Sequence, residues 1–281
     1  MSRKRKANRR KPHDAKQAIE PLVKRSKSND GTETFTTPQG QVLPSCLEKY
    51  WRRRHDFFHK YDEGIQIDEV GWYSVTHEVI AEDTAARVAQ LYSPTVAQSS
   101  DEMDFGRLCV VDAFCGVGGN AIKFATWCEH VIAIDIDPVR LDMARHNAQV
   151  YGVEDRIEFI LGDFYELAPM LKADVVYLSP PWGGVSYIDA PVFDLNSLPF
   201  HSAREWLDRA RLISPNIVYY LPRNCDPREL AGMYPQASCN VELNYIDGFL
   251  RAITTYYGKV AEYGSTEPRT LAATLPVCIS P

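Results

Sequence analysis

The sequence predicts an α/β protein in which helices cover both faces of a mostly parallel sheet. From residue 108 onward, short runs rich in Val and Ile alternate with segments of helical periodicity. The strand-like runs are apolar on consecutive positions, which is typical of parallel strands buried on both faces. The last two strand-like runs follow one another without a helix, so the sheet is expected to end in an antiparallel pair.

Each element of this alternation can be placed in order. The predicted strands are "LCVVDAF" (108–114), "HVIAIDI" (130–136), "RIEFILGD" (156–163), "ADVVYLS" (173–179), "NIVYYLP" (216–222) and the closing pair within 238–259. The predicted helices lie between them, at 118–128, 138–152, 164–172, 201–213 and 226–234. Sheets of this kind bind their ligands beyond the carboxyl ends of the strands.

The region before the alternation predicts further helices. Aromatic and apolar residues recur at helical spacing over 44–61, and again over 74–92, where Thr76 is the expected N-cap. The resulting domain prediction is a disordered basic arm and linker, a helical subdomain, a surface loop, a catalytic core and a tail. Their boundaries are 1–40, 41–93, 94–106, 107–262 and 263–281.

Composition excludes several classes of protein. With 281 residues, 45% of them hydrophobic, the chain can bury a full core. It has no apolar run near the roughly 18 residues that a membrane span requires, so no membrane partner is expected. The seven Cys are scattered without a CxxC pair, which predicts neither a metal site nor a disulfide framework and favours a reducing compartment.

The net charge of −6 conceals a strong asymmetry. Residues 1–28 contain eleven Lys and Arg against Asp14 and Glu20, so this segment carries +9 and the other 253 residues together carry −15. A basic, apolar-poor arm on an acidic body predicts contact with nucleic acid or with a nuclear import receptor. A tail that only aids solubility is the alternative.

The predicted carboxyl ends of three strands carry residues suited to a nucleoside. "DAFCGVGGN" follows the first strand, and its glycines, beginning with Gly116, permit a tight turn and close approach of a ligand. Asp135 ends the second strand, where a carboxylate can accept both hydroxyls of a ribose. Asp163 ends the third and can accept a hydrogen bond from an adenine amino group. Each signal alone is weak, and Asp135 could instead cap the following helix.

The fourth strand ends in "LSPPWGG", residues 178–184, and this turn favours one chemistry. Ser179 and the Pro180 carbonyl can accept the hydrogens of a ring-bound amino group, which aims the nitrogen lone pair at an electrophilic methyl group. Trp182 can stack the base, although a Trp packed into the core is the simpler alternative. A dinucleotide-dependent dehydrogenase would leave "SPPW" without a role. The sequence therefore predicts methyl transfer with S-adenosylmethionine as the cofactor.

These motifs resemble the trimethylguanosine synthases, the RNA cap hypermethylases. The resemblance covers about residues 44–260 and rests on "DAFCGVGGN", "AIDIDP", "GDF" and "LSPPWGG" in this order. It implies a Rossmann-like class I methyltransferase core with a small N-terminal helical subdomain. It also implies transfer of methyl groups to the exocyclic N2 of a 7-methylguanosine cap on small nuclear and nucleolar RNAs. The implied location is the nucleus, including the nucleolus or Cajal bodies, and also the cytoplasm, with RNA-associated proteins as partners.

The resemblance also implies roles for individual residues. The residues expected at the transferring centre are Ser179, Pro180 and Trp182. The residues expected to bind the cofactor are Asp112, Gly116, Asn120, Asp135, Asp163, Phe58 and Thr76. The residues expected to bind the cap are Trp182, Lys49, Tyr187, Arg223 and Asn224. Ordinary helix packing for Phe58 and a solvated helix face for Lys49 are the alternatives, and His77 stands where the family usually has proline.

Two other functions remain open on the sequence alone. The first is methyl transfer to an internal amino group of RNA or DNA, such as adenine N6. The second is cap binding without catalysis, which the intact glycine turn and the retained Asp135 disfavour.

Overall fold

The computed structural model describes part of the chain, which divides into two compact units, Met1–Arg52 and Arg53–Pro281. The described residues are 23–27, 31, 33–38, 40–91 and 108–263. The basic arm up to residue 22, the expected loop at 94–106 and all but the first residue of the expected tail lie outside them. Within the described residues, no helix has the length and apolar character that a membrane span needs.

The first unit contains a small antiparallel sheet followed by a short helix. Its elements are β1 (Lys24–Lys27), β2 (Glu33–Thr36), β3 (Val42–Pro44) and α1 (Glu48–Trp51). Phe35 is fully buried and its ring centroid lies 5.7 Å from that of Trp51. Glu48 accepts hydrogen bonds from both Arg25 and Arg52.

The prediction of a disordered linker is therefore wrong over β1 and β2. The composition of 24–36 is polar, but the single buried ring of Phe35 gives this segment an apolar anchor that an average over composition hides.

The second unit begins with three helices, whereas the sequence predicted two longer ones, over 44–61 and 74–92. They are α2 (Arg54–Phe57), α3 (Gly71–Ser74) and α4 (Glu78–Ala89). The expected single helix over 44–61 is wrong, because the chain is extended at Phe58, with φ −143° and ψ 107°. Thr76 is not the N-cap of α4. That position is held by His77, which has φ −54° and ψ 132°.

Helix α4 is fixed to the rest of its unit by a buried arginine. Arg87 donates to Glu242 and Asn240, each at 3.1 Å, and its guanidinium carbon lies 3.6 Å from the centroid of the Tyr256 ring. Burial raises the pKa of Glu242, and Arg87 opposes that rise. Buried charges are tolerated only when paired in this way. The expected subdomain at 41–93 is therefore divided, because α2 to α4 belong to the unit that holds the large sheet.

The large sheet has seven strands and confirms the predicted fold class. They are β4 (Cys109–Asp112), β5 (His130–Asp135), β6 (Ile157–Leu161), β7 (Val175–Leu178), β8 (Ile217–Pro222), β9 (Cys239–Ile246) and β10 (Phe249–Tyr257). Their order across the sheet is β6-β5-β4-β7-β8-β10-β9. The five strands β4 to β8 are parallel, and β10 pairs antiparallel with both β8 and β9. The chain order reverses beside β4, which is where ligands bind in such sheets.

The helices that follow the strands also confirm their predictions. They are α5 (Gly119–Trp127), α6 (Pro138–Tyr151), α7 (Phe164–Leu167), α8 (Ala203–Ala210) and α9 (Pro227–Gly232). Asp137 caps α6, and Ser202 forms a capping box with Glu205 at the start of α8. Each helix after a parallel strand begins near the carboxyl edge of the sheet, so its N-terminal turn faces the same side as the strand ends.

Candidate active site

The turn after β4 requires glycine. Gly116 and Gly118 have φ of +52° and +92°, and a Cβ on Gly118 would lie 3.1 Å from the Cα of Ala144 in α6. A side chain on Gly118 would therefore meet both a strained backbone and a close helix. At Gly116 a Cβ would meet nothing within 4 Å, so this glycine borders open space.

Asp112 lies at the end of β4 and is completely buried. Its Oδ1 accepts a hydrogen bond from the Phe114 N–H, whereas Oδ2 has no hydrogen-bond partner among the described residues. Burial raises the pKa of Asp112 to about 7. Buried polar atoms in native proteins are normally paired, so this oxygen is suited to accepting from a bound ligand.

Asp135 lies at the end of β5 and faces the glycine turn. Its carboxylate accepts from the Gly116 N–H at 2.8 Å and from the Asp137 N–H at 2.9 Å. Burial raises the pKa of Asp135, while these two backbone hydrogen bonds oppose the rise. The alternative that Asp135 caps the next helix is wrong, because Asp137 is the N-cap of α6. Asp135 therefore holds the glycine turn and keeps lone pairs for a ligand.

Asn120, Thr76 and Phe58 gather beside the glycine turn. The Asn120 Nδ2 donates to the Thr76 Oγ1 at 3.0 Å, and its Oδ1 is buried with no partner in the described part of the chain. Phe58 is buried and its Cζ lies 3.8 Å from the position of a Cβ on Gly119. The structure thus brings the residue after α2 and the residues just before α4 to the turn that precedes α5.

Asp163 has a local structural role, and its contact with adenine stays a prediction. Its side chain accepts from the Tyr165 N–H at 2.8 Å and caps α7. It is exposed at the end of β6, two strands from β4. The structure places it at the same edge of the sheet as Asp112 and Asp135.

The Ser179–Trp182 turn leaves β7 at this edge. Ser179 and Trp182 are half-buried, and Pro180 is buried. The Trp182 ring centroid lies 5.3 Å from that of Tyr187, nearly perpendicular, and 5.4 Å from that of Tyr220, inclined by 33°. Two aromatic neighbours therefore fix the indole, while part of its surface remains open to solvent.

The expected cap-binding residues have different surroundings. Asn224 follows β8 and its Nδ2 donates to the carbonyls of Tyr187 and Ala190, so it pins the loop that carries Tyr187. Arg223 is half-buried, and among the described residues its guanidinium makes no hydrogen bond or ion pair. Lys49 belongs to the first unit, where its Nζ lies 4.9 Å from the Tyr50 ring centroid. Its role stays a prediction.

Sequence reasoning missed Tyr220. The signal was present in "NIVYYLP", because side chains of a strand alternate between its faces and two adjacent tyrosines must point to opposite sides. Tyr219 joins the core against α8, whereas Tyr220 packs against Trp182. Burial raises the pKa of Tyr220 well above its usual range, and a hydrogen bond with the Thr76 side chain opposes that rise.

Comparison with known proteins places this arrangement in a family. The family described as RNA cap guanine-N2 methyltransferase matches residues 107–260, which is more than half of the chain. The chain belongs to this family. The predicted family and enzyme class are thereby confirmed, and the chain is a methyltransferase of the RNA cap guanine N2.

Two curated relatives of this cap methyltransferase are trimethylguanosine synthases from yeasts. That of Schizosaccharomyces pombe is 36% identical over 222 residues, which cover 76% of this chain and 87% of the relative. That of Saccharomyces cerevisiae is 32% identical over 225 residues, which cover 76% of this chain and 68% of the relative. Both similarities extend beyond the part of the chain that the family match spans.

A solved structure supports the fold of the cap methyltransferase. A protein of Porphyromonas gingivalis W83, assigned as a methyltransferase, superposes with a TM-score of 0.53 at 15% identity. It covers 81% of this chain, and this chain spans half of its length. At this identity the likeness shows the fold alone.

Proposed function

We propose that this chain transfers methyl groups from S-adenosylmethionine to the N2 of a 7-methylguanosine cap. The proposed product is the 2,2,7-trimethylguanosine cap of small nuclear and nucleolar RNAs. The observation that carries the proposal is the half-buried indole of Trp182, held between Tyr187 and Tyr220 at the carboxyl end of β7. The two relatives named trimethylguanosine synthase support the product.

Trp182 selects a base that carries a positive charge. Methylation at N7 makes guanine a cation, and the face of Trp attracts cations more strongly than that of any other side chain. A desolvated cation–π contact contributes about 2 kcal/mol, roughly thirtyfold in affinity. Because Tyr187 and Tyr220 already fix the indole, little side-chain entropy is lost when the base stacks on it.

Ser179 and Pro180 orient the amino group of that base. The lone pair of the N2 nitrogen is delocalised into the ring, so the amine is a poor nucleophile. The Ser179 hydroxyl and the Pro180 carbonyl accept its two hydrogens and direct the lone pair away from the ring plane. Positioning of this kind supplies most of what a methyl transfer requires from the protein.

The residues at the ends of β4 and β5 fit S-adenosylmethionine. Two buried acceptor atoms, Asp112 Oδ2 and Asn120 Oδ1, lack partners among the described residues and suit the donor groups of such a molecule. Asp135 would accept the ribose hydroxyls, Gly116 borders the open space beside the turn, and Asp163 would accept from the adenine amino group. Phe58 and Thr76 would close the site from the α4 side. When bound, S-adenosylmethionine supplies an electrophilic methyl group on a sulfonium.

The phosphates that follow the base would be bound by basic side chains and by the hydroxyl of Tyr187. Arg223 offers a half-buried guanidinium at the carboxyl end of β8, and Asn224 holds the loop with Tyr187 beside it. Lys49 lies in the first unit, and a role of its own in binding phosphate rests on the sequence alone. Partner and location follow the same proposal: nuclear capped RNAs with their bound proteins, and an import receptor for the basic arm.

A test uses three RNAs of the same sequence: 7-methylguanosine-capped, unmethylated guanosine-capped and uncapped. Each is incubated with the enzyme and S-adenosylmethionine, and the digested products are identified by mass spectrometry. The proposal expects one and then two methyl groups on N2 of the first RNA alone. Methylation of internal adenine or guanine in the uncapped RNA, or equal methylation of both capped RNAs, would refute it.

A further inference from the structure

Phe200 combines two features that packing does not explain. It is 87% exposed, and its φ is +70°, a conformation that bulky side chains rarely adopt. The His201 N–H donates to the Pro199 carbonyl at 2.9 Å, so Phe200 is the central residue of a γ-turn with positive φ, the rare and strained form. Folding gains nothing from a large apolar ring at this point.

The strain is imposed by neighbours that are well anchored on both sides. Leu198 is buried, and the His201 ring stacks on that of Tyr165 with centroids 3.8 Å apart and planes inclined by 7°. Ser202 caps α8 directly afterwards. The backbone of Phe200 is thus forced outward from a fixed segment, and its ring is held in solvent at a defined place.

The turn belongs to the loop that carries the proposed cap-binding residues. This loop runs from the end of β7 to the start of α8 and contains Trp182, Tyr187 and Phe200. Asn224 holds it at Ala190 and, through its own carbonyl, at the Phe193 N–H. Both ends of the loop lie at the carboxyl edge of the sheet, which is also the edge that carries the proposed cap site.

We infer that Phe200 stacks on a base of the RNA that follows the cap, and so extends recognition beyond the cap itself. Proteins that bind single-stranded nucleic acid use exposed aromatic side chains in this way, because every base presents a flat face. Tyr165 lies 3.8 Å from both the His201 ring and the guanidinium of Arg209, and these contacts fix the residue that follows Phe200. The inference rests on the proposed function, because it takes a capped RNA as substrate.

The test compares two substrates, 7-methylguanosine triphosphate and a capped single-stranded RNA of ten nucleotides. Phe200→Ala and Phe200→Gly are expected to raise the KM for the capped RNA by roughly tenfold, the loss of one stacked base. The same variants are expected to keep the KM for 7-methylguanosine triphosphate. Phe200→Trp, which retains an aromatic face, is expected to restore the KM for the RNA.

A matched control is Leu212→Ala, which removes an exposed apolar side chain just beyond the opposite end of α8. Phe200→Gly should also unfold at a temperature no lower than the wild type, because glycine accepts positive φ without strain. An unchanged KM for the RNA in Phe200→Ala overturns the inference, as does an equal rise for both substrates or for S-adenosylmethionine. Failure of the wild type to methylate 7-methylguanosine triphosphate would instead count against the proposed function.

Discussion

The indole of Trp182 lies 5.4 Å from the ring of Tyr220, centroid to centroid, with the two planes inclined by only 33°. Trp182 comes from the turn after β7 and Tyr220 from the neighbouring strand β8, so the contact joins two parallel strands at their carboxyl ends. Because Tyr220 is buried, the indole rests on a surface that cannot move away. The proposed stacking of a base on Trp182 would therefore need no movement of Tyr220.

Trp182→Ala is expected to abolish cap methylation while leaving cofactor binding largely intact. Truncation removes the stacking surface but none of the acceptors at the ends of β4 and β5. Calorimetry with S-adenosylhomocysteine and a methylation assay measure the two effects separately. Trp182→Phe, with a weaker cation–π face, should lie between the wild type and Trp182→Ala. Near-normal turnover of Trp182→Ala would disprove the stacking role.

Tyr220→Leu is expected to raise the KM for 7-methylguanosine triphosphate by roughly tenfold, whereas Tyr220→Phe should change it little. The ring supports the indole, and aromatic pairs of this kind contribute about 0.5–1.5 kcal/mol beyond burial. Tyr219→Leu is the matched control, since Tyr219 is buried in the same strand but faces the core against α8. If Tyr219→Leu raised the KM as much, loss of stability and not loss of support for Trp182 would be the cause.

Asp135→Ala is expected to weaken S-adenosylhomocysteine binding by roughly ten- to a hundredfold, as for the loss of hydrogen bonds to a charged acceptor. The variant loses the proposed ribose acceptor and also the bonds from the Gly116 and Asp137 N–H groups. Asp135→Asn keeps one carbonyl oxygen and should lose less. Isothermal calorimetry measures both, and an unchanged affinity in Asp135→Ala would rule out the ribose assignment.

Asp112 is expected to make the ligand-free protein less stable as pH rises. Burial raises its pKa to about 7, above the value of 3.8 expected for the unfolded chain. Between these two pH values the native state binds more protons than the unfolded state, so stability falls as pH increases and the full cost is present above about pH 7. Asp112→Asn removes this cost. Thermal unfolding at pH 5 and pH 8 should show a smaller loss in the variant than in the wild type.

Asp163→Asn provides the control for that comparison, because Asp163 is exposed and asparagine is an equally good N-cap for α7. At pH 8 it should unfold at the same temperature as the wild type, whereas Asp112→Asn should unfold at a higher one. An Asp112→Asn protein with the same loss of stability between pH 5 and pH 8 as the wild type would contradict the assignment of this loss to Asp112.

Sequence patterns predicted the large sheet well because its strands are buried on both faces and read as apolar runs between capped helices. The glycine turn could be recognised because it directly follows a strand, and the structure adds that only glycine fits the positive φ of Gly118 beside Ala144. The N-terminal region was predicted less well. The aromatic residues of 44–61 pack against several different neighbours, as in the pair of Phe35 and Trp51, and such tertiary contacts leave no period in the sequence.

The site residues also differ in how well the sequence predicted them. Asp112, Asp135 and Trp182 stand at strand ends, where position along the sequence determines position in space. Tyr220 and the buried pair of Thr76 and Asn120 depend on contacts between distant segments, which a single sequence does not reveal. Thr76 was expected to cap α4 with its side-chain oxygen, and in the structure that oxygen instead accepts a hydrogen bond from Asn120.

Deletion of residues 1–22 is expected to weaken binding of capped RNA at low salt without changing the KM for 7-methylguanosine triphosphate. The deleted segment carries eight Lys and Arg, and release of counterions from the RNA makes their contribution fall as salt increases. The cut spares β1, where Arg25 is paired with Glu48. A full-length variant with these eight residues changed to Gln controls for chain length and should reproduce the loss.

Salt separates this effect from that of Phe200. The difference in RNA affinity between the deleted and the complete chain should shrink as salt rises from about 50 to about 300 mM, because contacts with phosphates weaken over this range. The effect of Phe200→Ala should persist, since stacking involves no charge on the phenylalanine. A large loss of turnover on 7-methylguanosine triphosphate after the deletion would show that the arm belongs to the active site, and RNA affinity equal to that of the complete chain at low salt would show that it does not contact RNA.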